Sequence, residues 1–417
     1  MSLRTFAASL WRGENTSLAP VSAVAGSASG IPATTDTPRP PATKDSVTQP
    51  LIALHHTGQP VWPPRDYAHF ARDGYSRNPI VYRAVRLIAE AAASVPMRLF
   101  NAEGEEATDH PLTHLLARPN AAASGPDLME DWYGYLLIAG NAYMEGVSVG
   151  GELRELHCLR PDRMKIVPGN DGWPESYEYS VNGVTARFRQ DPEQGVRPIL
   201  HMALFNPSND YYGMSPIEAA ASAIDLHNAA SNWNKALLDN AARPSGALVY
   251  TASDGHLTEE QFARLKEELT ENYQGAMNAG RPLLLEGGLD WKTMSMSPKD
   301  MDFIEAKHVA AREIALALGV PPMLLGIPGD NTYSNYAEAN RVFWRQTVLG
   351  LVNRTAKAMS VWFAPPYGER LELRPDINSV SALGAERTAL WDRVGRADFL
   401  TEDEKRAILG LPPLARE

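Results

Sequence analysis

The chain has 417 residues, a single cysteine, and 50 acidic against 39 basic side chains, for a net charge of −11. That balance argues against a protein that grips nucleic acid by neutralising phosphates, because such binders concentrate lysine and arginine. It leaves open a protein that lets nucleic acid pass without holding it. One cysteine, Cys158, permits no intrachain disulfide, so a reducing compartment is expected. No apolar run reaches the roughly 18 residues of a membrane-spanning helix, and the start "MSLRTFAASLWRG" lacks the sustained apolar segment of a signal peptide.

Residues 1–60 are rich in Ala, Ser, Thr and Pro, and read as a disordered arm that buries too little apolar surface to offset its ordering entropy. Folded structure is expected from "SRNPIVYRAVRLIAEAAASVPMRLF", where Val81, Val85, Ile88 and Ala92 recur at helical spacing and Pro96 ends the helix before a strand. "GPDLMEDWYGYLLIAGNAYMEGVSV" reads as a helix that turns into a strand at Gly140. Residues 152–205 alternate and are punctuated by Asn170–Asp171 and Asn182–Gly183, which mark hairpins. This first part is α+β.

The pattern then changes to long helices. "MSPIEAAASAIDLHNAASNWNKALLDNAARPSG" opens with Ser215 as N-cap, Pro216 at the first helical position and Glu218 completing a capping box. Alanines crowd it. A shorter insert follows, with strands "GALVYT", "RPLLLE" and "DWKTMSM" around a helix that Thr258 and Gln261 cap, with Leu257 and Phe262 as its staple. "SPKDMDFIEAKHVAAREIALALGVPP" is a second long helix, closed by Gly319 and Pro321. A loop, "GVPPMLLGIPGDNTYSNYAEAN", leads into a third, "NYAEANRVFWRQTVLGLVNRTAKAMSVWF", with Gly350 as its weak point. A strand in "PPYGERLELRPD" and a small helical tail end the chain.

Chemical sites are weakly signalled. The loop lies between two helices and lacks the Gly-Lys-Ser/Thr of a phosphate-binding loop. His55 and His56 have no partners at ligand spacing; His110 and His114 suit one helix face but lack an acidic or thiol companion. Asp330 and Glu338 flank the loop and could bind a cation, though capping and solvation explain them more simply. Cys158 reads as a buried structural thiol. No nucleophile elbow or catalytic triad is visible. No catalytic residue, metal or cofactor is expected.

The order of elements resembles the portal protein family of tailed double-stranded DNA phages, in the branch common in long-tailed phages and prophages. "NPIVYRAVRLIAEAAASVPMRLF", "HPLTHLLARPN", "LLIAGNAYMEGV", "LRPDRMKIV", "GMSPIEAA" and "EIALALGVPPMLLGIPGDNTYSNYAEANRVFW" carry the likeness, which covers about residues 75–365. The resemblance implies an α+β portal fold with wing, stem, clip and crown, assembled as a ring. Residues 61–214 would begin the wing, 215–242 and 299–319 form the stem helices, 243–298 the clip, 320–375 the rest of the wing, and 376–417 the crown.

It further implies a homo-oligomer, usually of twelve copies, at one capsid vertex of a virion built in the bacterial cytoplasm. Double-stranded DNA would be packaged and ejected through it. Its partners would be the terminase large subunit, a head–tail connector and the major capsid protein, with no membrane. Residues 327–335 match the family's tunnel loop, which would turn Asp330, Asn331, Thr332, Tyr333, Ser334 and Asn335 toward DNA. These side chains include no Lys or Arg, so they can brush phosphates without binding them tightly. From Asp254 to Lys307 there are 11 acidic and 6 basic residues, an acidic lining that would keep DNA centred. Ala219, Ala220, Ala223 and Ala230, with Ala221 and Ala229, are expected to let neighbouring stem helices approach closely in the ring; the other reading is a helix buried within one subunit. Two rival readings stand beside this one: a helical adaptor that never meets DNA, and a hydrolase or transferase centred on Asp330 to Glu338.

Overall fold

The computed structural model describes residues 67–150, 152–190, 197–239, 246–250, 258–273, 289–293, 303–329, 333–368, 370–411 and 414. The arm at 1–60, His55, His56, Leu257 and the segment "RPLLLE" lie outside the described residues.

A π-helical turn, Phe70–Ser76, leads into α1 (Pro79–Ala93). Asn78 caps α1 by accepting from Ile80 N and Val81 N, with Pro79 at the first helical position. Val81, Val85, Ile88 and Ala92 are buried as their spacing predicts, and Ala84 and Ala89 join them. Strand β1 (Met97–Phe100) follows, then α2 (Pro111–Ala117) and α3 (Gly125–Ala139), which Ser124 and Asp127 open with a reciprocal capping box. Gly140 then adopts φ 71° and turns the chain into β2 (Asn141–Val149). No other residue fits there: a Cβ would lie 2.5 Å from the Met214 carbonyl carbon and 2.6 Å from Gly213 O.

β2 is the centre of an antiparallel sheet, flanked by β3 (Glu152–Leu159) and β7 (Ile199–Ala203). A second sheet is the meander β4 (Met164–Pro168), β5 (Pro174–Val181) and β6 (Val184–Arg189). Asn182 (φ 49°) and Gly183 (φ 83°) make the two-residue turn between β5 and β6, as the Asn-Gly pair requires. Tyr143, Leu159, Met164, Ile166, Tyr177 and Tyr212 form the aromatic-rich core between these sheets.

The long-helix region begins with a short α4 (Pro216–Ala219). It bends at Ala220 (φ −93°, ψ 4°) and continues as α5 (Ala221–Asp239). Ser215 caps it through Ile217 N, and its own hydroxyl donates to Leu137 O; the expected box with Glu218 is not used. An insert holds β8 (Gly246–Tyr250), α6 (Glu259–Tyr273) and β9 (Leu289–Thr293), with β8 and β9 paired antiparallel. Thr258 and Gln261 make the predicted capping box. α7 (Phe303–Ala317) returns and packs along α5.

One helical rod then runs from α8 (Tyr333–Phe343) through a π-helical turn (Trp344–Val348) into α9 (Leu349–Tyr367). Two features differ from expectation. The irregularity falls at the π turn rather than at Gly350, and Pro365 and Pro366 lie inside the last turn of α9 rather than in a following strand. Strand β10 (Glu372–Pro375) pairs antiparallel with β1, Met97 opposite Pro375. Helices α10 (Gly384–Gly395) and α11 (Glu402–Ile408) end the described fold. Val85, Ile88, Trp132, Leu136, Val352, Met359 and Phe363 share the main core. Residues from before and after the α5–α7 hairpin therefore fold as one body.

Candidate nucleic-acid interface

The loop after α7 is built by two consecutive left-handed closures. Gly319 takes φ 68°; its N–H donates to Leu316 O, and Val320 N donates to Ala315 O, the paired bonds of a Schellman cap. A short 3₁₀ turn, Pro322–Leu325, repeats the device. Gly326 takes φ 71°, Gly326 N donates to Met323 O, and Ile327 N donates to Pro322 O. Ile327 then plugs into Ala311 and Ala315 of α7, so the chain folds back on the helix it has just left.

Two further bonds tie this turn down. Thr347 Oγ1 donates to Gly319 O at 2.6 Å, joining the end of α7 to the π turn of the rod. Arg312 Nη2 donates to Pro328 O at 2.7 Å. The loop is thus anchored up to Pro328, and α8 begins at Tyr333. That corrects the expected loop of 327–335: Ile327 is buried, and Tyr333, Ser334 and Asn335 form the first turn of a helix. Asn335 is exposed there. Asp330, Asn331 and Thr332 lie outside the described residues, as do the side chains of Tyr333 and Ser334.

Glu338 is not poised for a cation. It pairs with Arg341, and Glu386 of α10 sits 3.4 Å from both Arg341 Nε and Arg345 Nη1. This chain of ion pairs fixes α10 to the rod across its π turn.

The stem-like helices are bolted at their base. Asn141 Nδ2 donates to Gly213 O (3.2 Å), and Gly213 N returns a bond to Asn141 Oδ1 (2.8 Å). Asn78 Nδ2 donates to His227 Nδ1 (3.2 Å) and to Asn228 Oδ1 (3.0 Å), and Asn228 Nδ2 donates to Asp73 O. His227 is buried, and that burial, with Lys307 and His308 nearby, holds its imidazole below the usual histidine range. Of the alanines expected at a ring interface, Ala220, Ala223 and Ala230 are buried within the subunit, so their small size already serves internal packing. Ala219 and Ala229 are exposed.

The remaining candidates resolve into structure. His110 caps α2 by accepting from Leu112 N, and His114 pairs with Asp109. Cys158 is partly buried; its thiol donates to Leu128 O, and burial pushes its pKa up. Among the described residues no group of three His, Cys, Asp or Glu side chains is placed to hold a metal, and no helix is long and apolar enough to cross a membrane. Sequence reasoning missed Arg312, Thr347 and Asn141. Each makes its contact with backbone far along the chain, which leaves no periodic trace.

Comparison with known proteins agrees with this architecture. The family model described as phage portal protein matches residues 79–410. A chain from the neck of a native gene transfer agent particle, computed with C12 symmetry, is 52% identical; the match covers 86% of this chain and 97% of that one, with a TM-score of 0.68. A protein of Rickettsia bellii is 44% identical over 82% of this chain and 89% of its own length. The probable portal protein of Streptomyces phage phiC31 is 26% identical over 80% of this chain and 74% of its own. The shared core on both sides of a helical hairpin, the clamped loop after α7 and a family match over most of the chain lead to one conclusion: this chain belongs to the phage portal protein family.

Proposed function

We propose that the chain assembles as a closed homo-oligomeric ring at one vertex of a capsid, and that double-stranded DNA enters and leaves through its centre. The observation that carries this reading is the 52% identity, over 97% of its length, to a chain of a particle neck computed with C12 symmetry. On this reading the ring holds twelve copies, which the C12 symmetry used for that neck supports.

On this reading α5 and α7 form the stem, residues 243–298 the clip that docks the terminase motor and later a head–tail connector, and residues 376–417 the crown. The pairing of β1 with β10 and the shared core support joining 61–214 and 320–375 as one wing. On the same reading Asp330, Asn331, Thr332, Tyr333, Ser334 and Asn335 are the residues that would meet DNA, and the turn at Gly319–Pro328 is their anchored approach. The role is structural, with no reaction assigned. The higher identity to the gene transfer agent chain than to the phiC31 portal favours a particle of the gene-transfer type.

The test is light scattering and negative-stain microscopy of the purified protein at rising concentration, with and without capsid protein. Rings with an open centre are expected; a particle that stays monomeric or dimeric under every condition overturns the reading in favour of an adaptor. Replacing Asp330 with Lys tests the loop separately: DNA packaged per particle should fall, and unchanged packaging and retention would remove any role for its charge.

A further inference from the structure

Strand β7 is the last strand of its sheet, and one of its two edges is open. Leu204 N donates to Gly140 O and Pro198 O accepts from Gly146 N, so the residues between them alternate. Leu200 and Met202 face β2, while the backbone groups of Ile199, His201 and Ala203 point to the opposite edge. Two side chains reach that edge: Gln190 Nε2 donates to Ile199 O at 3.1 Å, and Arg354 donates to Ala203 O. Among the described residues, the N–H groups of Ile199, His201 and Ala203 and the C=O of His201 have no hydrogen-bond partner. An edge of this kind is a template to which another strand adds.

The edge forms the floor of a groove of about 690 Å³. Trp173, Tyr177 and Tyr211 line it on the side of the β4–β6 meander, and Ala358, Val361 and Trp362 of α9 line it on the other. Trp173 is 49% exposed and Val361 63% exposed, so both walls leave apolar surface open. The charged residues of the groove, Asp171, Asp210 and Arg197, are exposed at its rim. A strand entering here turns successive side chains to the two walls in alternation. It must therefore be apolar at consecutive positions rather than at every second one.

We propose that Leu51, Ile52, Ala53 and Leu54 of the same chain add to the open edge of β7 as an extra strand. They are the longest apolar run before Tyr67, and they carry no charge. The described fold begins at Tyr67, which lines a small cavity together with Tyr143 and Tyr212. Tyr143 stacks on His201 with ring centroids 4.4 Å apart, and Tyr211 of the groove precedes Tyr212. The chain thus enters the fold beside the groove. Twelve residues link Leu54 to Tyr67, enough for about 40 Å of extended backbone. A four-residue strand needs only about 13 Å. This seat lies within one subunit and does not depend on the ring.

Amide hydrogen exchange of the full-length monomer, resolved to single residues, tests it. Ile52→Pro removes a pairing N–H from the added strand. The amides of Ile199, His201 and Ala203 should then exchange about tenfold faster than in the parent, with the β1–β10 pair unchanged. Val361→Lys, on the exposed wall of the groove, should give the same acceleration. A synthetic peptide of residues 49–57, QPLIALHHT, should bind the Ile52→Pro protein but not the parent, whose edge is already filled, and should fail to bind once Val361→Lys is added. Equal exchange in the parent and Ile52→Pro, or no binding of the peptide to Ile52→Pro, overturns the proposal. So does protection that appears only when rings assemble, which would give the edge to a neighbouring copy.

Discussion

Asn78 Nδ2 lies 3.2 Å from His227 Nδ1, although the two residues are 149 positions apart. The cap of the first helix is therefore also the fastening of the stem-like helix. Replacing Asn78 with Ala removes the acceptor for Ile80 N and Val81 N and leaves His227 and Asn228 without their shared donor. The expected loss is about 2–4 kcal/mol, summing a lost cap and buried polar groups left unpaired. Urea unfolding of the monomer checks it. Asn78→Ser, which keeps a capping oxygen, should recover about 1 kcal/mol. A loss below half a kilocalorie for Asn78→Ala would mean that water replaces these bonds.

A buried carboxyl and a half-buried imidazole in the β2 sheet give opposite pH dependences. Burial pushes the Glu145 carboxyl up to about 7, and its Oε2 has no hydrogen-bond partner among the described residues. The unfolded chain releases that proton near the ordinary carboxylate pKa and the folded chain only near 7, so stability falls as pH rises between them. Burial brings the His201 imidazole, stacked on Tyr143 with centroids 4.4 Å apart, down to about 3. The unfolded chain takes up that proton first, so stability falls as pH drops below the ordinary histidine range. Each slope is at most about 1.4 kcal/mol per pH unit, and they offset one another between the ordinary carboxylate and histidine values. Glu145→Gln should thus stabilise the protein at pH 8, by about 3 kcal/mol at most, and leave a steeper loss in acid. Thermal melts from pH 5 to pH 8 measure this; a Glu145→Gln profile parallel to the parent's would show that the carboxyl does not titrate as described.

The loop after α7 should loosen without unfolding the protein when its side-chain anchor is cut. Arg312→Met keeps the aliphatic stem and deletes the bond to Pro328 O. One such bond is worth about 1 kcal/mol, so amide exchange across 320–329 should quicken about fivefold while the global melting temperature moves little. Unchanged exchange would place the holding force wholly in Ile327 and the two glycine closures.

Gly140→Ala should be severe. The substitution forces a Cβ into a left-handed turn and against the backbone of Gly213 and Met214 at 2.5–2.7 Å. No flexible side chain is there to yield, so we expect a loss above about 3 kcal/mol, read as a collapse in soluble yield or melting temperature. Gly183→Ala is the contrast: its Cβ would meet nothing within 4 Å, so it carries only the cost of its positive φ, about 1 kcal/mol. Equal losses at the two positions would show that contact at Gly140 adds nothing.

The sequence by itself determined the elements that obey local rules. The period of Val81, Val85, Ile88 and Ala92, the Ser124–Asp127 and Thr258–Gln261 caps, the Asn182–Gly183 turn and the stop at Gly319 each act within a few residues, so each could be read from its neighbours. The order of those elements also identified the family. Only the tertiary structure decided which alanines of α5 face inward, because a helix crowded with small residues offers several similar faces, and α7 together with Asn78 selects one. It likewise decided that the loop ends at Tyr333 rather than Asn335, and that the rod's irregularity falls where Thr347 bonds Gly319 instead of at Gly350. These outcomes depend on side chains reaching backbone groups distant in sequence, and that geometry exists only once the chain has closed on itself.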